Sequence, residues 1–305
     1  MAEYVLRRLF YSLISFFGLL TLVFFLTRMT GDPAYLYLPQ NADEAARHAF
    51  SEQHGFNDPI IMQFGRYLLG LLQFDFGISL RQHRSAMDIA LEAFPTTLKL
   101  AVTAMTIAIS LAIVVGSLAA YRVGGIFDRI ATVVSLAAGS APDFWVAIVG
   151  ILVFAATLHI LPTSGTGGIE YWIMPITVLV LRPFGLLVQV VRGTMIGALS
   201  SPYVKTALAK GASDRAIIFV HALRNSMLSM ITVAGDLMVS LVNGAVIVET
   251  VFGWPGIGRL MIDAILQRDF PVVQSTILVT ASAVLVLNVL IDLLYSALDP
   301  RIRHN

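Results

Sequence analysis

Cysteine is absent from this 305-residue chain, so disulfides, thiolate metal sites and cysteine nucleophiles are excluded. Charge is scarce as well: Asp, Glu, Lys and Arg make up 13% of the residues, about half the share of a soluble domain. With 57% hydrophobic residues and a mean hydropathy of +0.81, the composition excludes an ordinary soluble fold and describes a polytopic membrane protein. The formal charge of +1 gives no reason to expect a nucleic acid or an acidic partner. Catalytic signatures are also missing. There is no G-x-x-x-x-G-K-S/T run to cradle a phosphate and no His-Glu-x-x-His pair to hold a metal. Neither a Ser with a nearby His nor paired membrane aspartates occur at catalytic spacing, so the chain is expected not to be an enzyme. No internal repeat or low-complexity tract interrupts it.

What is present is a series of apolar runs. A membrane-crossing helix needs about 20 mostly apolar residues, and six stretches qualify: Leu9 to Thr27, Leu98 to Ala120, Ile130 to Ile160, Ile173 to Val191, Ser226 to Val248 and Ser275 to Leu298. The expected fold is therefore all-α with six transmembrane helices. Arg7 and Arg8 precede the first run, which is longer than a secretory h-region, and Thr27-Arg28-Met29 offers no small-residue cleavage site. It is expected to stay attached as a signal anchor. Residues 1–95 read as this anchor plus an extracytoplasmic segment, and 96–305 as a five-helix core.

Orientation follows from the basic residues, which concentrate in short cytoplasmic loops. Arg7 and Arg8, Arg122 and Arg129, the group Arg192, Lys205, Lys210, Arg215 and Arg224, and finally Arg301 and Arg303 fall on one side if six spans alternate. The loop from Leu161 to Trp172 on the other side has neither Lys nor Arg. Both termini are expected in the cytoplasm. On the outer side, Thr30 to Pro95 carries turn signals and an amphipathic stretch from Ile61 to Phe76, read as one or two surface helices. Thr250 to Gln274 contains Phe252-Gly253-Trp254-Pro255-Gly256-Ile257-Gly258-Arg259, whose Gly and Pro density suits a tightly turned or re-entrant cap.

The segment from Tyr203 to Asn225 is polar, cationic and helix-forming, between two apolar spans. Ser201-Pro202 reads as a helix start, with the hydroxyl capping free backbone donors. Tyr203 with Ala207, and Val204 with Leu208, recur at helical spacing; Gly211 interrupts; Ser213 or Asp214 can cap a second helix through Ile217, Val220 and Leu223 into the fifth span. Two short helices joined by a glycine bend fit a groove in a soluble partner. The other reading is an amphipathic linker lying on lipid headgroups.

These residues resemble a known family. Gly211 followed by His221-Ala222-Leu223-Arg224-Asn225 resembles the EAA loop of permease subunits of bacterial ABC importers, and Lys205-Thr206-Ala207 through Ala209-Lys210-Gly211 is similar to the dipeptide, oligopeptide and nickel branch. Val248-Glu249-Thr250-Val251-Phe252 with Trp254 to Leu260, and Arg268-Asp269-Phe270-Pro271-Val272-Val273-Gln274, look like the outer loop of that branch. Asp292-Leu293-Leu294-Tyr295 and Leu298-Asp299-Pro300-Arg301 look like its C-terminal signature. Gly31-Asp32-Pro33, Phe56-Asn57-Asp58-Pro59 and Asp75-Phe76-Gly77-Ile78-Ser79 resemble the N-terminal region of the first of its two permeases. Departures are Lys205 where Glu is usual, Pro202 for an acidic residue, Ser229 for proline and Phe74 for glycine.

The resemblance implies a type I ABC importer permease fold. It further implies a heterodimer with a second homologous permease, two ATP-binding subunits, and an extracytoplasmic solute-binding protein. ATP and Mg would be used by the partner subunits, with no cofactor bound by this chain. Tyr203, Lys205, Thr206, Ala207, Ala209, Lys210 and Gly211 would form the ATPase-coupling face, within a loop spanning 199–225, and His221 and Asn225 would anchor the next helix. Glu249, Pro255, Gly256 and Arg259 would serve an outer gate or the docking of the binding protein. The solute would be a peptide or related small molecule.

Charges in mid-membrane usually face a bundle interior or an aqueous path, which singles out Asp143, Arg182 and Asp236 as a substrate pathway. Arg182 and Asp236 each lie about 14 to 15 Å of helix rise into their spans and could pair. A structural ion pair is the competing reading. An ion-coupled carrier using the same three residues is the alternative function, and it would leave the 203–225 segment unexplained. His159, at the outer end of the third span, has no partner at metal-ligand spacing; Met227, Met230 and Met238 read as helix packing, and Asn243 and Asn288 as interhelical hydrogen-bonding groups.

Overall fold

In hydrocarbon each backbone donor and acceptor must be satisfied within its own segment, so long apolar runs become helices. The structure, a computed structural model, describes residues 2–29, 31, 34–39, 42–73 and 75–298, with the backbone alone for 2–13 and 292–298. Asp32, Pro33, Phe74, Asp299, Pro300, Arg301 and Arg303, among the residues singled out above, lie outside the described residues, as do the side chains of Arg7, Arg8 and Asp292 to Tyr295.

The helices, in order, are α1 (Ala2–Met29), α2 (Ala34–Tyr37), α3 (Glu44–Gln53), α4 (Ile60–Leu72), α5 (Ala86–Tyr121), α6 (Ile126–Ser140), α7 (Asp143–Gly150), α8 (Glu170–Leu199), α9 (Pro202–Ala209), α10 (Asp214–Ala216), α11 (Leu223–Val251), α12 (Ile257–Leu266) and α13 (Phe270–Leu298). A π-helical turn, Ile151–Thr157, extends α7, and another, Ile217–Ala222, joins α10 to α11. Four helical runs are long and apolar enough to cross a membrane unbroken: Ala86–Tyr121, Glu170–Leu199, Asp214–Val251 and Phe270–Ile291. The first expected span, Leu9 to Thr27, lies inside α1.

The third expected span is corrected. The apolar run from Ile130 to Ile160 is not one rod but two helical pieces, Ile126–Ser140 and Asp143–Thr157, bent by 100°. Pro142 is the cause, because proline disfavours helical geometry in the residue before it and Ala141 is extended at φ −73°, ψ 129°. Asp143 is consequently the first residue of α7, at the break.

The chain forms two units, Met1–Thr97 with Pro255–Leu285, and Leu98–Trp254 with Val286–Asn305. In the first, Phe24 is fully buried and stacks on Tyr67 with ring centroids 5.2 Å apart. Motif segments distant in sequence meet here. Ser79 Oγ donates to Asp269 Oδ2 at 2.6 Å, the backbone N–H of Leu80 donates to the other carboxylate oxygen at 3.3 Å, and Phe56 packs edge-on to Phe270. Thr97 Oγ1 accepts from the Ile257 N–H at 2.9 Å, satisfying one of the free donors at the start of α12.

The second unit is built around α8, which packs against α6, α7 and α11. Its core gathers Leu100, Met105, Leu179, Leu187, Val191 and Met230. Along the antiparallel seam of α6 and α8 three rungs recur at helical spacing. Gly185 meets Gly139, Gln189 Nε2 donates to Ser135 Oγ at 2.6 Å, and Arg192 grips Asp128 through two nitrogens, Nη2 reaching Oδ2 at 2.9 Å. Small residues that let backbones approach, joined by interhelical polar contacts, are how membrane helices associate where burial alone offers no drive.

Candidate functional site

The segment between α8 and α11 starts with Ser201, whose hydroxyl donates back to the Ala198 carbonyl at 2.5 Å and makes no capping bond to α9. That corrects the expected capping role. Proline at the first helical position, where its missing N–H is not needed, begins α9 instead.

Its end is fully specified. Gly211 has φ +80°, its N–H bonds to the Leu208 carbonyl at 2.9 Å, and the Ala212 N–H bonds to Ala207 at 3.1 Å. These are the two hydrogen bonds of a Schellman cap, which wants a residue in the left-handed region and so favours glycine. Ser213 then caps α10 by accepting from the Ala216 N–H at 3.4 Å.

The two faces of this segment differ. Val204, Ala207, Ile217, Ile218 and Ala222 are buried. Tyr203, Lys205, Thr206, Ala209, Lys210, Gly211, His221 and Asn225 are exposed. Along the second helix Ile217, Ile218 and Ala222 take the interior, while Val220 is 59% exposed. The π-turn is the reason, since an i→i+5 pattern inserts a residue and rotates the face; the Leu223 N–H reaches back to Ile218. Ala207, one of the seven expected on the coupling face, points inward with Val204.

Arg182 on α8 and Asp236 on α11 are both exposed, and among the described residues they form no ion pair. The charge acting on half-buried Asp143 is Arg182. Asp236 belongs to a polar line on α11, where exposed Asn225, Ser229, Thr232, Asp236, Ser240 and Asn243 recur every three or four residues.

Glu249 is fully buried in the last turn of α11. That helix ends in a second Schellman cap, with Gly253 at φ +63° and the Trp254 N–H bonded to the Glu249 carbonyl at 2.8 Å. Trp254 is buried and meets Trp172 edge-on at 4.7 Å. In the other unit Pro255 is exposed, Gly256 is the N-cap of α12, and Arg259 lies 3.7 Å from Asp263. Sequence reading missed the Asp128 and Arg192 clamp; Arg192 registered only as one of the basic residues of its loop. Among the described residues no group of three or more His, Asp or Glu gathers as a metal site.

Residues 112–304 match the family model described as binding-protein-dependent transport system inner membrane component. The chain belongs to that family. It is a multi-pass membrane protein and a permease subunit of an ABC importer, which sets aside the ion-coupled carrier. Relatives align over its whole length. The dipeptide transport system permease protein of Escherichia coli (strain K12) is 34% identical, covering 100% of this chain and 99% of its own. The di/tripeptide transport system permease protein of Pseudomonas aeruginosa (strain UCBPP-PA14) is 35% identical with the same coverage. A putative peptide transport system permease protein of Brucella abortus (strain 2308) is 33% identical over 100% of both. A crystal structure of an amino acid ABC transporter superposes with a TM-score of 0.55 at 14% identity, over 69% of this chain and 94% of that one, a likeness of fold.

Proposed function

We propose that this subunit forms half of a pathway importing peptides or related small solutes, and that Pro202–Asn225 is its coupling element. The observation that carries the reading is the exposed face of α9, with Tyr203, Lys205, Thr206 and Lys210, on a segment held from behind by Val204, Ala207, Ile217 and Ile218 and fixed at its bend by Gly211. A rigid, solvent-facing helix pair suits a groove in a soluble partner. In this reading both termini and the coupling element are cytoplasmic, as the basic residues argue. Two ATP-binding subunits use ATP and Mg, this chain binds no cofactor, a second permease completes the pathway, and a binding protein delivers solute from outside.

Arg182, Asp236 and Asp143 then face the solute path, with Arg182 meeting a carboxylate and Asp236 an amine. The exposure of Arg182 and Asp236 on apolar helices and the polar line around Asp236 support this, because polar groups on a membrane helix mark an interior or aqueous face. Glu249, Pro255, Gly256 and Arg259 serve the outer gate or the docking surface.

The test is co-purification from the native operon in nanodiscs, followed by ATPase assay with and without binding protein, for wild type and Gly211→Asp. Recovery of a second permease and ATPase subunits, with the variant losing assembly or stimulated turnover, is the expected result. A chain that purifies alone, or a variant that couples normally, would refute the assignment.

A further inference from the structure

A cavity of about 430 Å³ lies within the unit made by Met1–Thr97 and Pro255–Leu285, and Arg28, Gln63, Tyr67 and Gln274 are among its walls. Most of its lining precedes residue 112, where the family match begins. Two buried donors on this wall are unused. Gln274 is 8% exposed, and its Nε2 has no hydrogen-bond partner among the described residues. Arg28 donates through Nε to Gln63 Oε1 at 2.8 Å, while its Nη1 is buried without a partner.

The charge on Arg28 is also unmatched. Phe24, Phe56 and Phe270 present their rings at 4.8, 5.7 and 4.5 Å, but no carboxylate pairs with it among the described residues. Arg66, the other arginine of the lining, is paired with Asp58, and Asp75 accepts from the Gly77 N–H. A partly buried guanidinium lacking a counter-ion is costly and is relieved by an anion. Arginine's fork suits the oxygens of a phosphate in particular.

The surroundings indicate where such a group would come from. On α1, Leu22, Leu26 and Met29 are exposed, and on α4, Ile61, Leu69 and Leu72. A cavity with an unpaired guanidinium in its wall, beside apolar exposed surface, is the setting of a lipid headgroup, with acyl chains on the apolar side.

We propose that this cavity is an oxyanion site that takes a phosphate group on Arg28 and Gln274. A phospholipid headgroup and soluble phosphate present the same chemistry, and the experiment separates them. The transporter, purified with its partner subunits in mild detergent, is titrated with phosphatidylglycerol under native mass spectrometry and, separately, with inorganic phosphate in a thermal-shift assay.

Wild type, Arg28→Gln and Gln274→Met are compared. Loss of a hydrogen bond to a charged group predicts weaker binding by about tenfold for either variant. Lipid retention that falls in both variants, with no response to phosphate, assigns the site to a headgroup. A phosphate-dependent rise in Tm that only wild type shows assigns it to a soluble anion. Gln274→Met preserves side-chain volume, so it reports even if Arg28→Gln fails to fold; equal binding of both probes by wild type and Gln274→Met overturns the proposal.

Discussion

Substitution of Gly185 by alanine tests the α6 and α8 seam most directly. A Cβ at Gly185 would fall on the Ser135 carbonyl oxygen and stand 2.5 Å from the Gly139 nitrogen and 2.8 Å from its Cα. Non-bonded heavy atoms prefer about 3.5 to 4.0 Å, so the helices must part by about 1 Å or the backbone must bend. The obstacles are backbone atoms, which cannot rotate aside as a side-chain tip would. Overpacking of this kind costs about 1 to 3 kcal/mol, while alanine in place of glycine returns about 0.8 to 1 kcal/mol of helix propensity. Separation would also strain the Gln189 to Ser135 and Arg192 to Asp128 rungs further along the seam. The net expectation is a destabilisation of about 1 to 2 kcal/mol. Gly193 and Gly197 on the same helix supply the control, since nothing lies within 4 Å of a Cβ at either. Alanine there should be neutral or stabilising by up to about 1 kcal/mol. Thermal denaturation in one detergent, or reversible unfolding by a denaturing detergent, ranks the three variants. If Gly185→Ala is as stable as Gly193→Ala, the close approach of α6 and α8 is wrong and the two rungs beyond it lose their foundation.

Asp128→Asn should cost about 2 kcal/mol, below the 3 to 5 expected for breaking a fully buried pair, because the Arg192 side chain is 23% exposed; a double-mutant cycle with Arg192→Gln measures the coupling, and additive losses would contradict the clamp. Asp269→Asn weakens the acceptor used by Ser79 and Leu80 and should lower stability by about 1 to 2 kcal/mol, read as earlier protease cleavage near residues 79–82; an unchanged digestion pattern argues against that anchor. Gly211→Ala should destabilise the α9 bend by about 1 kcal/mol through its positive φ alone, with Gly211→Asn milder. Because a Cβ there touches nothing within 4 Å, any larger loss in recovery of ATPase subunits on co-purification comes from a partner; identical recovery for Gly, Asn and Ala would remove the conformational argument.

What was legible in the sequence was local. Gly211, Ser213 and the glycine and proline cluster from Gly253 to Gly256 announced bends because backbone geometry leaves few residue types able to serve there. The apolar runs announced spans for the same reason, each helix satisfying its own backbone. What was not legible depended on partners or on counting. The turn Ile217–Ala222 rotates its face by one inserted residue, and nothing in Ile217-Ile218-Phe219-Val220 distinguishes an α from a π register. Pro142 sits in an apolar run that reads as continuous, although Pro175 and Pro183 lie inside α8 without ending it; whether a membrane proline breaks its helix depends on which neighbour re-satisfies the freed groups. Asp128 and Arg192 are 64 residues apart and become a pair only once α6 is known to lie against α8.

That clamp bears on how the proposed coupling element would act. A load on the exposed face of α9 reaches the membrane helices by two routes, along the chain into α8 and through buried Val204, Ala207, Ile217 and Ile218 into the π-turn and α11. On the α8 route the load meets Arg192, seven residues before the helix ends at Leu199, where the Asp128 pair binds α8 to α6. Those two helices should therefore move together. The α11 route instead passes through the π-turn Ile217–Ala222, a local change of hydrogen-bond register of a kind frequent at functional sites. Rotation of α11 relative to α8 is then the softer motion, and it would swing the polar line of Ser229, Thr232, Asp236 and Ser240. Spin labels on α6 and α8 should hold a constant separation across the ATPase cycle while labels on α8 and α11 do not; a changing distance between α6 and α8 would place the hinge at the clamp and defeat this ordering.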